Sequence, residues 1–169
     1  MPKAAKATVV DILAAVSAAV FIVILAVSAY WDPTIRWLHL FEAVPYLAAA
    51  WLCLRRVKSG YLLAIAAGLF WLWVGGTRST FVRNGFELAA RWLRTGQIER
   101  PDVLIAAPAA LATAGMALFG LWGYARVRNK SIADLGLFVV SLAVITGYFI
   151  AICAAFAPRF LRLFSGILS

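Results

Sequence analysis

Five apolar stretches, near residues 8–30, 34–54, 60–76, 103–125 and 135–157, set the fold class of this chain before any other property is read. At about 1.5 Å of rise per helical residue, each can cross a hydrocarbon layer of roughly 30 Å. Backbone in that layer has no water to bond and folds only as helices or a closed barrel. The stretches lack the alternating polar residues of a barrel strand. The sequence therefore predicts an all-α, polytopic integral membrane bundle of five transmembrane helices, forming a single membrane domain over 1–169. An alternative with four spans and a re-entrant third segment rests on Gly68, Gly75 and Gly76. Five spans are preferred, because Tyr61 to Val74 holds no charge and ends in the interfacial pair Trp71 and Trp73. Met1 to Tyr30 has the layout of a signal peptide, but its apolar part exceeds the usual 7 to 15 or so residues and reads as the first span.

A formal charge of +9 would suggest nucleic acid in a water-soluble chain. Here the basic residues cluster at the ends of apolar stretches, with Arg55, Arg56 and Lys58 after the second and Arg126, Arg128 and Lys130 after the fourth. Such clusters read anionic lipid head groups and bias orientation, so nucleic acid is not expected as a partner. With the N-terminus in the cytoplasm both clusters are cytoplasmic too. The alanine- and arginine-rich composition points to a bacterial cytoplasmic membrane.

Several helix starts are written in the sequence. Thr8 with Asp11 and Ser131 with Asp134 match the capping box, Asp32-Pro33 offers an N-cap followed by proline, and Asp102 enters the first turn of the fourth span. The segment 78–94 is different. Phe81, Val82, Gly85, Phe86, Leu88, Ala89, Trp92 and Leu93 share one side of a helical wheel, while Arg83, Glu87, Arg91 and Arg94 share the other. This predicts a basic amphipathic helix at the interface, with Glu87 between Arg83 and Arg91 as their ion-pair partner. Arg83, Arg91, Trp92 and Arg94 are its expected contacts with lipid or with a partner subunit. Pro158 to Ser169, carrying Arg159 and Arg162, reads as a second short interfacial helix.

With these acids assigned, Glu42 stands out about 12 Å inside the second span, where a bare carboxylate is costly. His39, the only histidine, is one turn earlier and Tyr46 one turn later, so Arg36, His39, Glu42 and Tyr46 form a polar stripe on one helix. Pro45 removes a helical hydrogen bond and frees the carbonyl of Phe41 beside Glu42. The expectation is that Glu42 is protonated or bonded to His39 or Tyr46. The stripe serves either helix packing or a function: an ion or proton relay, a quinone pocket, or a contact to another subunit. Haem ligation by His39 would need a second copy or a second protein, since one histidine gives one axial ligand.

No nucleophile elbow, phosphate loop or zinc-protease motif occurs. Trp31, Trp37, Trp51, Trp71, Trp73 and Trp92 lie near span ends, as in interfacial belts. Cys53 and Cys153 fall toward opposite membrane faces and are expected to remain unpaired. Small residues in the fourth span (Ala112, Ala114, Gly115, Ala117, Gly120) and the fifth (Ala151, Ala154, Ala155) allow close helix approach, internally or against other subunits. The function expected is a non-catalytic integral membrane subunit, serving as anchor, scaffold or accessory to a transporter or electron-transfer complex. Its partners would be lipids and other membrane subunits. A homo-oligomeric channel or carrier using Glu42, and a small cytochrome or quinone-interacting protein using His39 and Glu42, are the alternatives. No cofactor is singled out by the sequence.

Overall fold

The structure, a computed structural model, describes residues 7–165, and over them the chain is helical with no strand. In order come α1 (Val9–Trp31), a 3₁₀ turn (Pro33–Ile35), α2 (Arg36–Leu54), α3 (Lys58–Trp73) and a π turn (Val74–Arg78). Then follow α4 (Phe81–Thr95), α5 (Pro101–Leu104), α6 (Ala106–Ala125), α7 (Ala133–Phe156) and a C-terminal 3₁₀ strap (Pro158–Phe164). Val9–Trp31, Pro33–Leu54, Lys58–Arg78, Pro101–Ala125 and Ala133–Phe156 are each long and apolar enough to cross a membrane. The protein is a multi-pass membrane bundle. The third segment runs as helix from Lys58 through the π turn to Arg78, so it traverses the bundle instead of turning back as a re-entrant loop.

Alternating spans give the bundle two ends. The start of α1 and the turns near 55–57 and 126–132 share the first end; the turns near 32–35, 74–105 and 157–165 share the second. Bonds across each end fix this arrangement: Lys58 Nζ donates to the Asn129 carbonyl at 3.0 Å at the first, and Arg159 donates to Thr34 Oγ1 at 3.0 Å at the second.

The helices approach closely because small side chains line their contacts. A Cβ placed on Gly68 in α3 would sit 2.5 Å from the Thr113 carbonyl of α6, and one on Gly120 would sit 3.1 Å from Ala64 Cβ. In a bilayer, where lipid tails are as apolar as leucine, such backbone proximity is what holds helices together. The small-residue side of α6 is thus used internally, whereas Ala151, Ala154 and Ala155 of α7 are exposed and face away from the bundle. Phe21, Tyr46, Phe70, Met116, Ile145 and Phe149 fill the core.

At the first end, two acids do more than cap helices. Asp11 accepts from the Thr8 amide at 2.7 Å as the capping box requires, and its other oxygen accepts from Tyr61 of α3 at 2.6 Å, with Arg56 Nε at 3.7 Å. Asp134 accepts from the Ser131 amide at 3.0 Å and Tyr124 of α6 at 2.8 Å, and pairs with Lys58 of α3 at 2.6 Å. The Lys58 ammonium, read from sequence as part of a head-group cluster, is taken up by Asp134 and by the Asn129 carbonyl. Arg55 lies over Trp51 at 4.5 Å and Arg126 over Trp122 at 4.9 Å, an arrangement suited to the head-group layer.

At the second end, α4 packs on α5, α6 and the π turn. It begins at Phe81, later than the expected 78, because Arg78 belongs to the π turn and donates Nε–H to the Leu163 carbonyl at 2.8 Å. It stops at Gly96, whose φ of 71° is the left-handed conformation glycine favours as a helix terminator. Gly85 seats α4 on α6: a Cβ there would meet Ala106 Cβ at 2.7 Å. Arg83 pairs with Glu87 at 3.8 Å, but Arg91 pairs with Glu99 at 2.7 Å, so the expected sharing of Glu87 by both arginines does not occur. Trp71 also departs from expectation. Instead of joining the interfacial belt it packs edge-on against Phe21 with ring centroids 5.2 Å apart. The expected interfacial helix from Pro158 is a short 3₁₀ strap folded back over the second end, and 166–169 lie outside the described residues.

Candidate functional site

The polar nick in α2 is built by two separable devices. The first is the break at Pro45, which leaves the Phe41 carbonyl without its helical donor. Tyr148 of α7 supplies the replacement, its hydroxyl donating to that carbonyl at 2.7 Å. Phe41 and Phe156 stack beside it with ring centroids 4.9 Å apart.

The second device is the His39–Glu42 pair. One helical turn places His39 Nδ1 2.8 Å from Glu42 Oε2, and Glu42 is only 6% exposed. His39 Nε2 lies 3.1 Å from Ser28 Oγ near the end of α1. Ser28 carries no local sequence signal of this role, because only the docking of α1 on α2 brings it there. Both ring nitrogens are thus hydrogen-bonded. Among the described residues no group of three metal-ligating side chains gathers.

Two members of the predicted stripe do not join the pair. Arg36 is exposed at the start of α2. Tyr46 is fully buried, packs against Phe21 at 4.5 Å between centroids, and its hydroxyl has no hydrogen-bond partner among the described residues. The expected alternative of a Tyr46 bond to Glu42 is therefore not realised, and His39 is the partner of Glu42.

His39, Glu42 and Ser28 open onto a cavity of about 580 Å³ that reaches the second end of the bundle. Its walls are mainly apolar, with Phe21, Leu25, Phe70, Trp71 and Phe149 among them. Phe21, backed by Tyr46, separates it from the closely packed first end. Cys153 also lines it, while Cys53 is buried elsewhere, and both are free thiols, as their positions on the spans predicted. The cavity combines apolar walls with a few convergent polar groups, the usual make-up of a small-molecule site, and its volume is in the usual range of about 300–1,000 Å³.

At the rim, Asp32 accepts from the Thr34 amide at 3.0 Å and its hydroxyl at 2.6 Å, with Arg159 at 3.4 Å. The Thr34 hydroxyl, helped by its amide and by Arg159, holds the Asp32 carboxyl below its ordinary range. Asp102 pairs with Arg100 at 2.8 Å. Both rim acids thus have a local cation, leaving Glu42 as the acid presented to the interior of the cavity.

No protein-family model, curated protein or solved structure matches this chain.

Proposed function

We propose that this protein is a non-catalytic integral membrane subunit that holds a lipid-soluble ligand of the quinone class in its cavity, in the service of an electron-transfer assembly. The single observation that carries this reading is the His39–Glu42 hydrogen bond of 2.8 Å on the wall of the 580 Å³ apolar cavity. A quinone head group offers carbonyl oxygens to a hydrogen-bond donor and exchanges protons when its oxidation state changes. An imidazole bonded to a carboxylate through Nδ1 supplies both functions at one point once the quinone oxygen takes the place of Ser28 at Nε2. The aromatic and aliphatic walls suit the ring and the first part of an isoprenoid tail. A channel reading of Glu42 is less well supported, because its carboxylate turns into a cavity within one chain and not toward an outer face that copies could share.

Titration of the detergent-purified protein with a short-chain quinone, followed by quenching of tryptophan fluorescence, tests this proposal. Trp71 lies in the cavity wall and reports occupancy, with Trp71→Phe as the control. Saturable quenching is expected, weakened about tenfold by His39→Ala and by Glu42→Gln, the size of losing one well-placed hydrogen bond. Quenching that does not saturate, or that both variants leave unchanged, refutes the reading.

Anionic lipid is proposed as the second partner, on the α4 edge where Phe86 and Leu93 remain 43% and 78% exposed beside Arg83 and Arg94. Apolar side chains flanked by arginines suit acyl chains and phosphates respectively. Arg83→Ala with Arg94→Ala should lower the anionic phospholipid retained in native mass spectra. A bacterial cytoplasmic membrane with the first end in the cytoplasm is the placement proposed, supported by Arg55, Arg56, Arg126, Arg128 and Lys130 in its turns.

A further inference from the structure

We infer that the C-terminal strap Pro158–Phe164 is a movable cover that admits ligand to the cavity, an inference that rests on the reading of the cavity as a ligand site. The strap contributes Phe160, Leu163 and Phe164 to the cavity lining. Phe164 is 1% exposed, and its ring lies parallel to that of Phe70 with centroids 6.2 Å apart. The segment therefore closes over the space and does not merely border it.

Its polar fastenings are few and sit at the rim. The backbone leaves the helix at Ala157, where φ is −154° and ψ is 66°, so the strap does not continue α7. From there Arg159 reaches Thr34 Oγ1 at 3.0 Å and Asp32 Oδ2 at 3.4 Å, and Arg78 holds the Leu163 carbonyl at 2.8 Å. These arginines and their side-chain partners are solvent-accessible, with Arg159 and Asp32 side chains 57% and 45% exposed. Exposed ion pairs of this kind contribute little each and exchange readily with water. The apolar side chains also face a low barrier to leaving. At the edge of the hydrocarbon layer, Phe160, Leu163 and Phe164 can trade the cavity for lipid tails without entering water. By contrast most of the other lining comes from α1, α2, α3, α6 and α7, which are spans of the bundle, with Phe81 of α4 and Asp102 of α5 completing it at the rim. Displacing the strap breaks no packing between spans.

The two native cysteines provide a test that needs no ligand. Cys153 lines the cavity and is 4% exposed, whereas Cys53 is 0% exposed and lies outside it. A water-soluble maleimide reacting with the full chain in detergent, with each cysteine peptide quantified by mass spectrometry, reads opening at Cys153 and general loosening at Cys53. Arg159→Ala combined with Arg78→Ala should accelerate labelling of Cys153 about three- to tenfold while Cys53 stays unchanged. Thr34→Val, which weakens the same tether from outside the strap, should shift Cys153 in the same direction and spare Cys53. Unaltered Cys153 labelling in these variants, or equal acceleration at both thiols, overturns the inference. Loss of quinone quenching alone, with Cys153-selective labelling intact, would count against the ligand class and not against the cover.

Discussion

The hydroxyl of Tyr148 in α7 donates to the carbonyl of Phe41 in α2 at 2.7 Å, taking up the acceptor that Pro45 releases four residues on. A helix break inside a membrane is tolerable when another helix supplies the missing donor. Tyr148→Phe should therefore lower stability by about 1–3 kcal/mol, the cost of an unpaired carbonyl where lipid, not water, surrounds it. A thermal unfolding scan in detergent checks this. Pro45→Ala, which restores the helical donor, should largely suppress the effect of Tyr148→Phe.

Tyr46 presents the opposite case. Its hydroxyl is buried without a partner, so removing it relieves a desolvated polar group. Tyr46→Phe is expected to leave stability unchanged or raise it by about 1 kcal/mol, and to leave quinone quenching intact. A fall in either quantity would return Tyr46 to the site.

Tyr61 links α3 to Asp11 of α1 through a 2.6 Å bond to a carboxylate. Tyr61→Phe should destabilise the bundle by about 1.5–3 kcal/mol, the range for hydrogen bonds to charged groups. Because this bond lies at the end remote from the cavity, the same variant should bind quinone with unaltered affinity.

Gly85 lets α4 sit on α6, with no room for a side chain against Ala106 Cβ and the Ala107 amide. Gly85→Val should cost about 1–3 kcal/mol through overpacking. Its effect should be local, seen as faster hydrogen exchange across Phe81–Thr95 with the spans still protected.

Acid should loosen the strap through Asp32. Its carboxyl is held below the ordinary value, chiefly by the Thr34 hydroxyl, so its contribution is complete above the unfolded value of about 3.9 and is lost as pH falls through the lowered folded value. Protection of the Arg159–Phe164 amides, corrected for intrinsic exchange, should be flat from about pH 5 to 8 and decline toward pH 3. Asp32→Asn should abolish that decline and show weaker protection throughout.

The span pattern and the i,i+3 meeting of His39 with Glu42 could be read from the sequence because each depends on local geometry alone: apolar length and one helical turn. The freed Phe41 carbonyl was legible for the same reason. Its donor was not, since Tyr148 lies 107 positions away and nothing in its neighbourhood marks it. Asp11 and Asp134 were legible as caps but not as inter-helix acceptors. Once one oxygen caps a turn, the other is free for whichever helix packs alongside, and periodicity does not name that neighbour. Lys58 illustrates the same gap, for a basic residue at a span end looks alike in sequence whether it meets a phosphate or Asp134. Tyr46 went astray because sharing a helical face with Glu42 is necessary but insufficient for a bond: its ring turns to Phe21. The cavity itself is lined by residues from α1 through to the C-terminal strap, which no single segment encodes.

The bonds made by Asp11 and Asp134 cinch the rods together at one extremity, while the opposite extremity keeps its hollow. A molecule so tied is lopsided along its axis: these two carboxylates and their donors occupy one extremity, and the room for a guest lies at the other.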